Sequence, residues 1–267
     1  MCTIYQSLVD SVGVYRKSKT SFLLINPFKR TNKIIHAPSF ETYMFSYYNH
    51  VLLAFSKCSE EFVLVILCTQ SKCLHVYQSR NCGCFTFSSK MGNQERVVHS
   101  VVLHNIIYVV TNKANIGVLS LNYPTIKFLK LKGTPDVTNI RFKLVNCDEQ
   151  LLVVDSTYGQ IRNVYKIDFS AINYVKLETL GDIALFCNVC DWKTDCYALS
   201  NPNRWGYESN SVYVTTESTT TCKVYSADDN KLQKCITLPT PGGESNHYVY
   251  DWCFKHLRHE IDYSLVE

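Results

Sequence analysis

Cysteines near position 190 are the residues whose type and spacing come nearest to metal chemistry. Cys187 and Cys190 form a C-x-x-C pair, Cys196 follows six residues later, and a C-x-C pair lies at Cys82 and Cys84. Structural zinc sites usually take two ligand pairs with close internal spacing. Cys187 directly follows a strand-like segment, where alternation alone predicts a buried thiol, and the sequence has no second C-x-x-C. The pattern therefore predicts unpaired thiols and assigns neither a metal nor a cofactor.

Histidines could supply a base or a ligand, but their spacing selects none. His256 and His259 are three residues apart, which would place them on one face of a helix. The other histidines singled out carry no partner that the sequence identifies: His36, His50, His75, His99 and His104. The sequence also contains no GxxxxGK[ST], GxGxxG, GxSxG or HExxH motif. It predicts no catalytic residue and no enzyme.

Trp192, Arg204 and Trp205 are the candidate partner-binding residues. They lie in segment 188–211, the longest stretch without a clear strand pattern, which we predict to be an irregular loop. Binding residues are commonly carried on loops held by a rigid scaffold, and Trp and Arg are over-represented in interface hot spots. The same aromatic side chains could instead cap one end of the fold, so both interpretations stay open.

Composition favours a β-rich protein in a reducing compartment. The 267 residues include 18 Tyr and 13 Phe, and aromatic residues favour pleated, half-buried surfaces. The 27 basic residues are dispersed and the net charge is only +4, so no nucleic-acid partner is predicted. The N-terminus lacks a signal-peptide pattern, and the longest apolar run, 62–68, is too short to cross a bilayer. Together with 13 irregularly spaced cysteines, this predicts a cytoplasmic or nuclear protein without membrane association.

Short alternating segments recur along the chain as groups of antiparallel strands. One complete hairpin has arms at 165–169 and 174–180 around a polar turn. Strands equivalent to its first arm recur roughly every 40 to 60 residues, at 22–27, 74–78, 116–122, 164–169 and 222–226. This spacing is typical of propeller blades. The predicted strands are 12–15, 22–27 and 34–37; 62–68, 74–78 and 84–87; 97–103, 106–110, 116–122 and 126–131; 142–146, 151–155, 164–169 and 174–180; and 212–215, 222–226 and 232–238.

These segments predict an all-β fold, a β-propeller of short antiparallel four-stranded blades. About five repeats can be counted, so the propeller either closes with five blades or is incomplete. We expect one domain over residues 1–267, with a charged tail at 255–267 that frays.

Three sequence patches add a family resemblance. The first reads LINPF at 24–28 with Arg30. The second reads VYKIDF at 164–169, VKL at 175–177, LGD at 180–182 and ALF at 184–186, and the third reads WG at 205–206, NSVYV at 210–214 and KVY at 223–225. In this order, across residues 22–228, they resemble the KIB-type family of plant F-box-associated β-propellers.

The resemblance implies a protein-recognition module without chemistry of its own. In that family an N-terminal F-box docks onto the adaptor of a cullin-type E3 ubiquitin ligase, and the propeller recognises the protein client. Here the LINPF patch lies almost at the start of the chain, and residues 1–21 resemble a strand and a turn. We therefore expect no recognisable F-box, so an adaptor contact would need an F-box supplied elsewhere.

Three functions follow as alternatives. The first is a substrate-recognition propeller related to ubiquitin-ligase subunits. The second is a stand-alone interaction scaffold or truncated paralogue that binds the same client without the ligase adaptor. The third is a propeller hydrolase, which would require carboxylates or histidines converging at the central channel.

Overall fold

The computed structural model describes residues 4–6, 13–18, 21–26, 31–36, 49–56, 61–68, 73–81, 83–88, 90–91, 95–121, 125–136, 141–157, 160–189, 194–216, 221–238 and 260–261. The chain divides into two compact units. One consists of Met1–Val137 together with Cys253–Glu267, and the other of Thr138–Trp252. We call them the first and second units. The prediction of a single domain stays a prediction.

Antiparallel strands make up almost all of the described secondary structure. In chain order they are β1 (Ile4–Gln6), β2 (Gly13–Ser18), β3 (Ser21–Asn26), β4 (Thr31–His36), β5 (Asn49–Ser56), β6 (Phe62–Cys68), β7 (Cys73–Gln78), β8 (Gly83–Ser88), β9 (Lys90–Met91), β10 (Glu95–Leu103), β11 (Ile106–Thr111), β12 (Ile116–Leu119), β13 (Ile126–Phe128), β14 (Arg141–Cys147), β15 (Gln150–Thr157), β16 (Gln160–Asp168), β17 (Asn173–Leu177), β18 (Ile183–Val189), β19 (Thr194–Ser200), β20 (Ser211–Thr216), β21 (Thr221–Ser226), β22 (Leu232–Thr237) and β23 (Glu260–Ile261). A 3-10 helix spans Pro202–Trp205.

The described strands of the first unit form three sheets with a simple neighbour order. Their strands are ordered β1-β2-β3-β4, β23-β5-β6-β7-β8 and β13-β12-β11-β10-β9. Consecutive strands pair antiparallel, while β23 pairs parallel with β5 through Glu260 and Phe55. Buried aliphatic side chains on β5–β7 and β10–β12, such as Val65 and Val109, form a common core.

The described strands of the second unit form two sheets, ordered β14-β15-β16-β17 and β19-β18-β20-β21-β22. In the second of these sheets β18 pairs antiparallel with β19 and parallel with β20. One face of each sheet contributes to a shared core, which includes Leu152, Val154, Leu185, Ala198 and Val212. Burial of these alternating apolar positions holds the two sheets together.

The all-β prediction is confirmed, and most predicted strands match to within a few residues. Segments 62–68, 84–87, 106–110, 142–146, 151–155 and 222–226 lie within β6, β8, β11, β14, β15 and β21. The strands predicted at 116–122, 126–131 and 174–180 end earlier, at Leu119, Phe128 and Leu177. Strand β5 was not among the predicted segments.

The prediction that segment 188–211 is irregular is wrong. Strand β18 extends to Val189, β19 occupies Thr194–Ser200, and the 3-10 helix follows. Strand β19 forms because β18 offers it a complete antiparallel partner, with Ile183 opposite Ser200 and Val189 opposite Thr194. Of the predicted frayed tail, Glu260 and Ile261 form β23, and its other residues lie outside the described ones.

Within the described part of the chain, no helix has the length and hydropathy of a membrane-spanning segment.

Candidate partner-binding loop

The connection between β19 and β20, residues 201–210, forms a fixed turn that we call the Trp205 loop. Its 3-10 helix begins at Pro202, whose ring fixes φ near the helical value. The flanking residues have left-handed backbones, Asn201 with φ 48° and Gly206 with φ 80°. Asn and Gly are the residues that adopt this conformation most readily. The N–H groups of Gly206 and Tyr207 then donate to the carbonyls of Asn203 and Pro202, at 3.2 and 3.1 Å.

Asp182 connects the Trp205 loop to the start of β18. Its carbonyl accepts the Asn201 N–H at 3.0 Å, and its carboxylate Oδ1 accepts the Ser209 hydroxyl at 2.7 Å. The Asn203 amide donates in turn to Ser209 Oγ at 2.9 Å. These bonds tie both ends of the loop to one residue of the LGD patch.

Asn210 fixes the end of the Trp205 loop against the same patch. Its side-chain Oδ1 accepts from the Thr179 hydroxyl and from the Leu180 N–H, both at 2.9 Å. Its own N–H donates to the Ile183 carbonyl at 2.9 Å. A left-handed backbone at Gly181, with φ 58°, turns the chain between these contacts. The LGD patch thus positions the loop.

Tyr207 packs the Trp205 loop against two aromatic rings of the sheet, Phe186 and Tyr213. Phe186 and Tyr213 stack with centroids 4.7 Å apart. Tyr207 meets both edge-on, at 4.9 Å from Phe186 and 5.4 Å from Tyr213. The Tyr213 hydroxyl accepts the Glu208 N–H at 2.8 Å, and burial raises the pKa of this phenol. Edge-to-face and offset-stacked pairs are favourable geometries, so the loop has a packed base.

An ion pair joins the Trp205 loop to the outer strand of its sheet. The Lys234 ammonium on β22 binds the Glu208 carboxylate. Lys234 lies in register with Val224, which lies in register with Tyr213. The ion pair and the aromatic base therefore belong to one face of the sheet. About half of each charged side chain is exposed, so this contact orients the loop more than it stabilises the fold.

Arg204 and Trp205, two of the predicted partner-binding residues, are exposed on this fixed loop. The Trp205 indole is 56% exposed, whereas most large aromatic side chains are more deeply buried. Arg204 is also exposed. Arg and Trp together can supply a cation, a donor and a broad apolar surface to a protein partner. Trp192, the third predicted residue, lies outside the described residues.

His50 and His99, for which the sequence identified no partner, contact each other in the first unit. His50 and His99 have ring centroids 3.8 Å apart, with a 33° angle between the ring planes. His50 Nε2 donates to the Ser100 carbonyl at 2.8 Å. The contact joins β5 to β10, far apart in sequence, so no local spacing could have indicated it.

The cysteines of the predicted pattern are related by strand register and not by their spacing in the sequence. Cys187 lies opposite Cys196 on paired strands, and both are free thiols. Cys190 and Cys82 lie outside the described residues. Cys84 is half-buried on β8. The C-x-x-C spacing is therefore less informative than the strand register.

Two cavities in the second unit are too small for most small-molecule ligands. They measure about 120 and 100 Å³, and both are lined by Ile161 and Val212. Small-molecule sites are usually of at least about 300 Å³. Neither of these two cavities is therefore a candidate small-molecule site.

Comparison with solved structures gives similarities at low identity. The RRP9 WD40 repeats are 11% identical with a TM-score of 0.44, covering 88% of this chain and 66% of that one. The structure of U3-55K is 12% identical with a TM-score of 0.44, covering 92% and 71%. Hsv2 of Kluyveromyces lactis is 12% identical with a TM-score of 0.44, covering 89% and 64%. The chain thus spans about two thirds of the length of these proteins.

Comparison with known protein families gives a match over most of the chain. No curated protein matches the sequence. The model of a family described as the KIB1-4 beta-propeller matches residues 5–250, which is most of the chain. This match confirms the predicted propeller fold and includes all three sequence patches. The chain belongs to the KIB1-4 β-propeller family.

Proposed function

We propose that this protein is a non-catalytic recognition module that binds a protein client through the Trp205 loop. The observation that carries the proposal is the 56% exposure of Trp205 on a loop whose backbone is held at both ends. A preorganised loop loses little conformational entropy on binding. Exposed Trp and Arg side chains on such a loop are the types that dominate interface energetics.

The finer proposal is that the client is a protein destined for ubiquitination. It rests on family membership, because KIB-type propellers resemble the recognition parts of F-box subunits in cullin-type ligases. The chain then presents the client, while an F-box contacts the ligase adaptor. The runner-up is a stand-alone scaffold that binds the same client without the adaptor.

A photo-crosslinking experiment tests the client-binding surface. A photoreactive amino acid replaces Arg204, and in a matched control it replaces Lys176, an exposed cation on β17. Both tagged chains are irradiated in their native cells, and crosslinked proteins are identified by mass spectrometry. We expect a client crosslinked from position 204 and not from position 176. Crosslinks from position 176 alone would contradict the proposed surface.

Co-purification in the same samples separates the two functional alternatives. Recovery of the cullin ligase's adaptor together with the client supports the ligase-subunit function. Recovery of the client without the adaptor supports the scaffold.

A further inference from the structure

Cys187 and Cys196 lie directly opposite each other on the paired strands β18 and β19. They are 1% and 5% exposed and belong to the core of the second unit. Neither is joined in a disulfide. Strand pairing thus places two free thiols at one register position.

Hydrogen bonding along the hairpin defines the type of pair that they form. The Asn201 N–H donates to the Asp182 carbonyl. These residues continue the register in which Ile183 faces Ser200, so they form a hydrogen-bonded pair. Such pairs alternate with non-hydrogen-bonded pairs along an antiparallel ladder. Counting in register from Asp182, Cys187 and Cys196 form a non-hydrogen-bonded pair.

Non-hydrogen-bonded pairs bring opposing residues closest together. Their Cα atoms are typically about 4.5 Å apart, which falls within the range of about 4.4 to 6.8 Å found across disulfides. The backbone of β18 and β19 can therefore accept a covalent bridge with little displacement.

We propose that Cys187 and Cys196 are an oxidisable dithiol, which a peroxide converts into a cross-strand disulfide. The peroxide transfers one oxygen to the Cys196 sulfur, the more exposed of the two, giving a sulfenic acid and one water. The Cys187 sulfur then attacks the Cys196 sulfur, and the hydroxyl leaves as a second water with the Cys187 proton. Two thiols and one hydrogen peroxide thus give one disulfide and two waters. This inference does not depend on the proposed function.

The surroundings of Cys187 slow its attack on the oxidised Cys196 sulfur. Burial raises the pKa of the Cys187 thiol, and so do a hydrogen bond with Cys196 and the negative charges of Cys196 and Asp195, while Lys143 lowers it. Thiolates, not thiols, are the nucleophiles in this chemistry. The bridge should therefore form slowly at neutral pH and faster as the pH is raised.

Peptide mapping of the native protein tests the inference. The protein is treated with hydrogen peroxide, its remaining thiols are alkylated, and it is digested with trypsin without reduction. Cleavage after Lys193 places Cys187 and Cys196 in separate peptides, 177–193 and 194–204. We expect these peptides joined, lighter than their sum by two hydrogens, and separated by a reductant.

Cys190 shares a peptide with Cys187, so the Cys190→Ser variant is the decisive control. The cross-link should persist in this variant, whose only cysteine in peptide 177–193 is Cys187. Loss of the cross-link in Cys190→Ser would overturn the inference. Cross-linking that occurs only in urea, or alkylation of both Cys187 and Cys196 after peroxide treatment, would overturn it as well.

Discussion

Gly206 determines the direction in which the chain leaves the 3-10 helix towards Tyr207. Its φ of 80° lies in a region that residues with a Cβ rarely adopt. A Cβ at this position would meet no atom within 4 Å, so a substitution would be disfavoured by the backbone conformation and not by a clash. Asn201, at the other end of the helix, has a similar backbone but tolerates it as an Asn.

Gly206→Ala should lower the free energy of unfolding by about 1 kcal/mol, because Ala is strained in the left-handed region. The matched control is Asn201→Gly, which removes strain at the opposite end and should leave stability unchanged or slightly higher. Denaturant unfolding of both variants measures the two effects. Equal stability of Gly206→Ala and the parent protein would contradict the described loop backbone.

Asp155 gives the second unit a measurable pH dependence. This carboxyl is 2% exposed and accepts one hydrogen bond, at 3.1 Å from the Asn163 amide. Burial raises the pKa of Asp155 above that of an exposed aspartate, while the hydrogen bond from Asn163 and the charge of Arg162 oppose the rise. The folded state therefore holds the proton more tightly than the unfolded state, and ionisation of Asp155 destabilises the fold as the pH rises.

Asp155→Asn keeps an acceptor for Asn163 but cannot ionise. We expect the stability of this variant, relative to the parent, to increase as the pH is raised from about 4, and to level off above the folded-state pKa. Denaturant unfolding at a series of pH values measures the difference. A constant difference between pH 4 and pH 8 would show that Asp155 has no raised pKa.

At the scale of elements, strand β12 depends on a residue without a side chain. A Cβ on Gly117 would lie 2.5 Å from Ile126 Cγ2 and 3.2 Å from the Phe128 ring, both on the paired strand β13. Ile126 Cγ2 is bonded directly to Cβ and cannot move far, so the two strands would have to separate. Overpacking of this kind typically costs about 1 to 3 kcal/mol.

Gly117→Ala should therefore destabilise the protein by that amount, and Ile126→Ala should partly compensate in the double variant. A double-mutant cycle by denaturant unfolding gives the coupling between the two positions. Strictly additive effects would contradict the close packing of β12 against β13.

Most strands could be predicted because alternation of apolar and polar side chains is a local property. Segment 142–146, for example, lies within β14. Strand β19 could not, because its sequence begins with two polar residues and its partner β18 has to be known first. The predicted ends of β12 and β17 also lay too far along the chain, because nothing in the local sequence marks where the partner strand stops.

The candidate site could be predicted only by residue type. The choice of Trp205 and Arg204 follows from the residue types that are common in interfaces, and residue types can be read from the sequence. The contacts that hold them do not: Ser209 bonds Asp182, 27 residues away, and Lys234 reaches Glu208 across 26 residues. Such contacts depend on sheet register, which single-sequence patterns do not specify.

At the scale of the whole molecule, family membership and the Trp205 loop support the same proposal. The loop is built within the second unit, from β18, β20 and β22 together with the LGD patch. Its anchors therefore form within one compact unit.

Quantitative capture of the client by the parent protein and by Trp205→Ala is the most direct test of this account. The control is Val175→Ala, which removes an apolar side chain that is 38% exposed on β17, in the other sheet of the same unit. If Trp205 anchors the client, its truncation should weaken capture at least about tenfold, equivalent to 1.4 kcal/mol, whereas Val175→Ala should bind like the parent. Unchanged capture by folded Trp205→Ala would contradict the central claim that the Trp205 loop is the recognition surface.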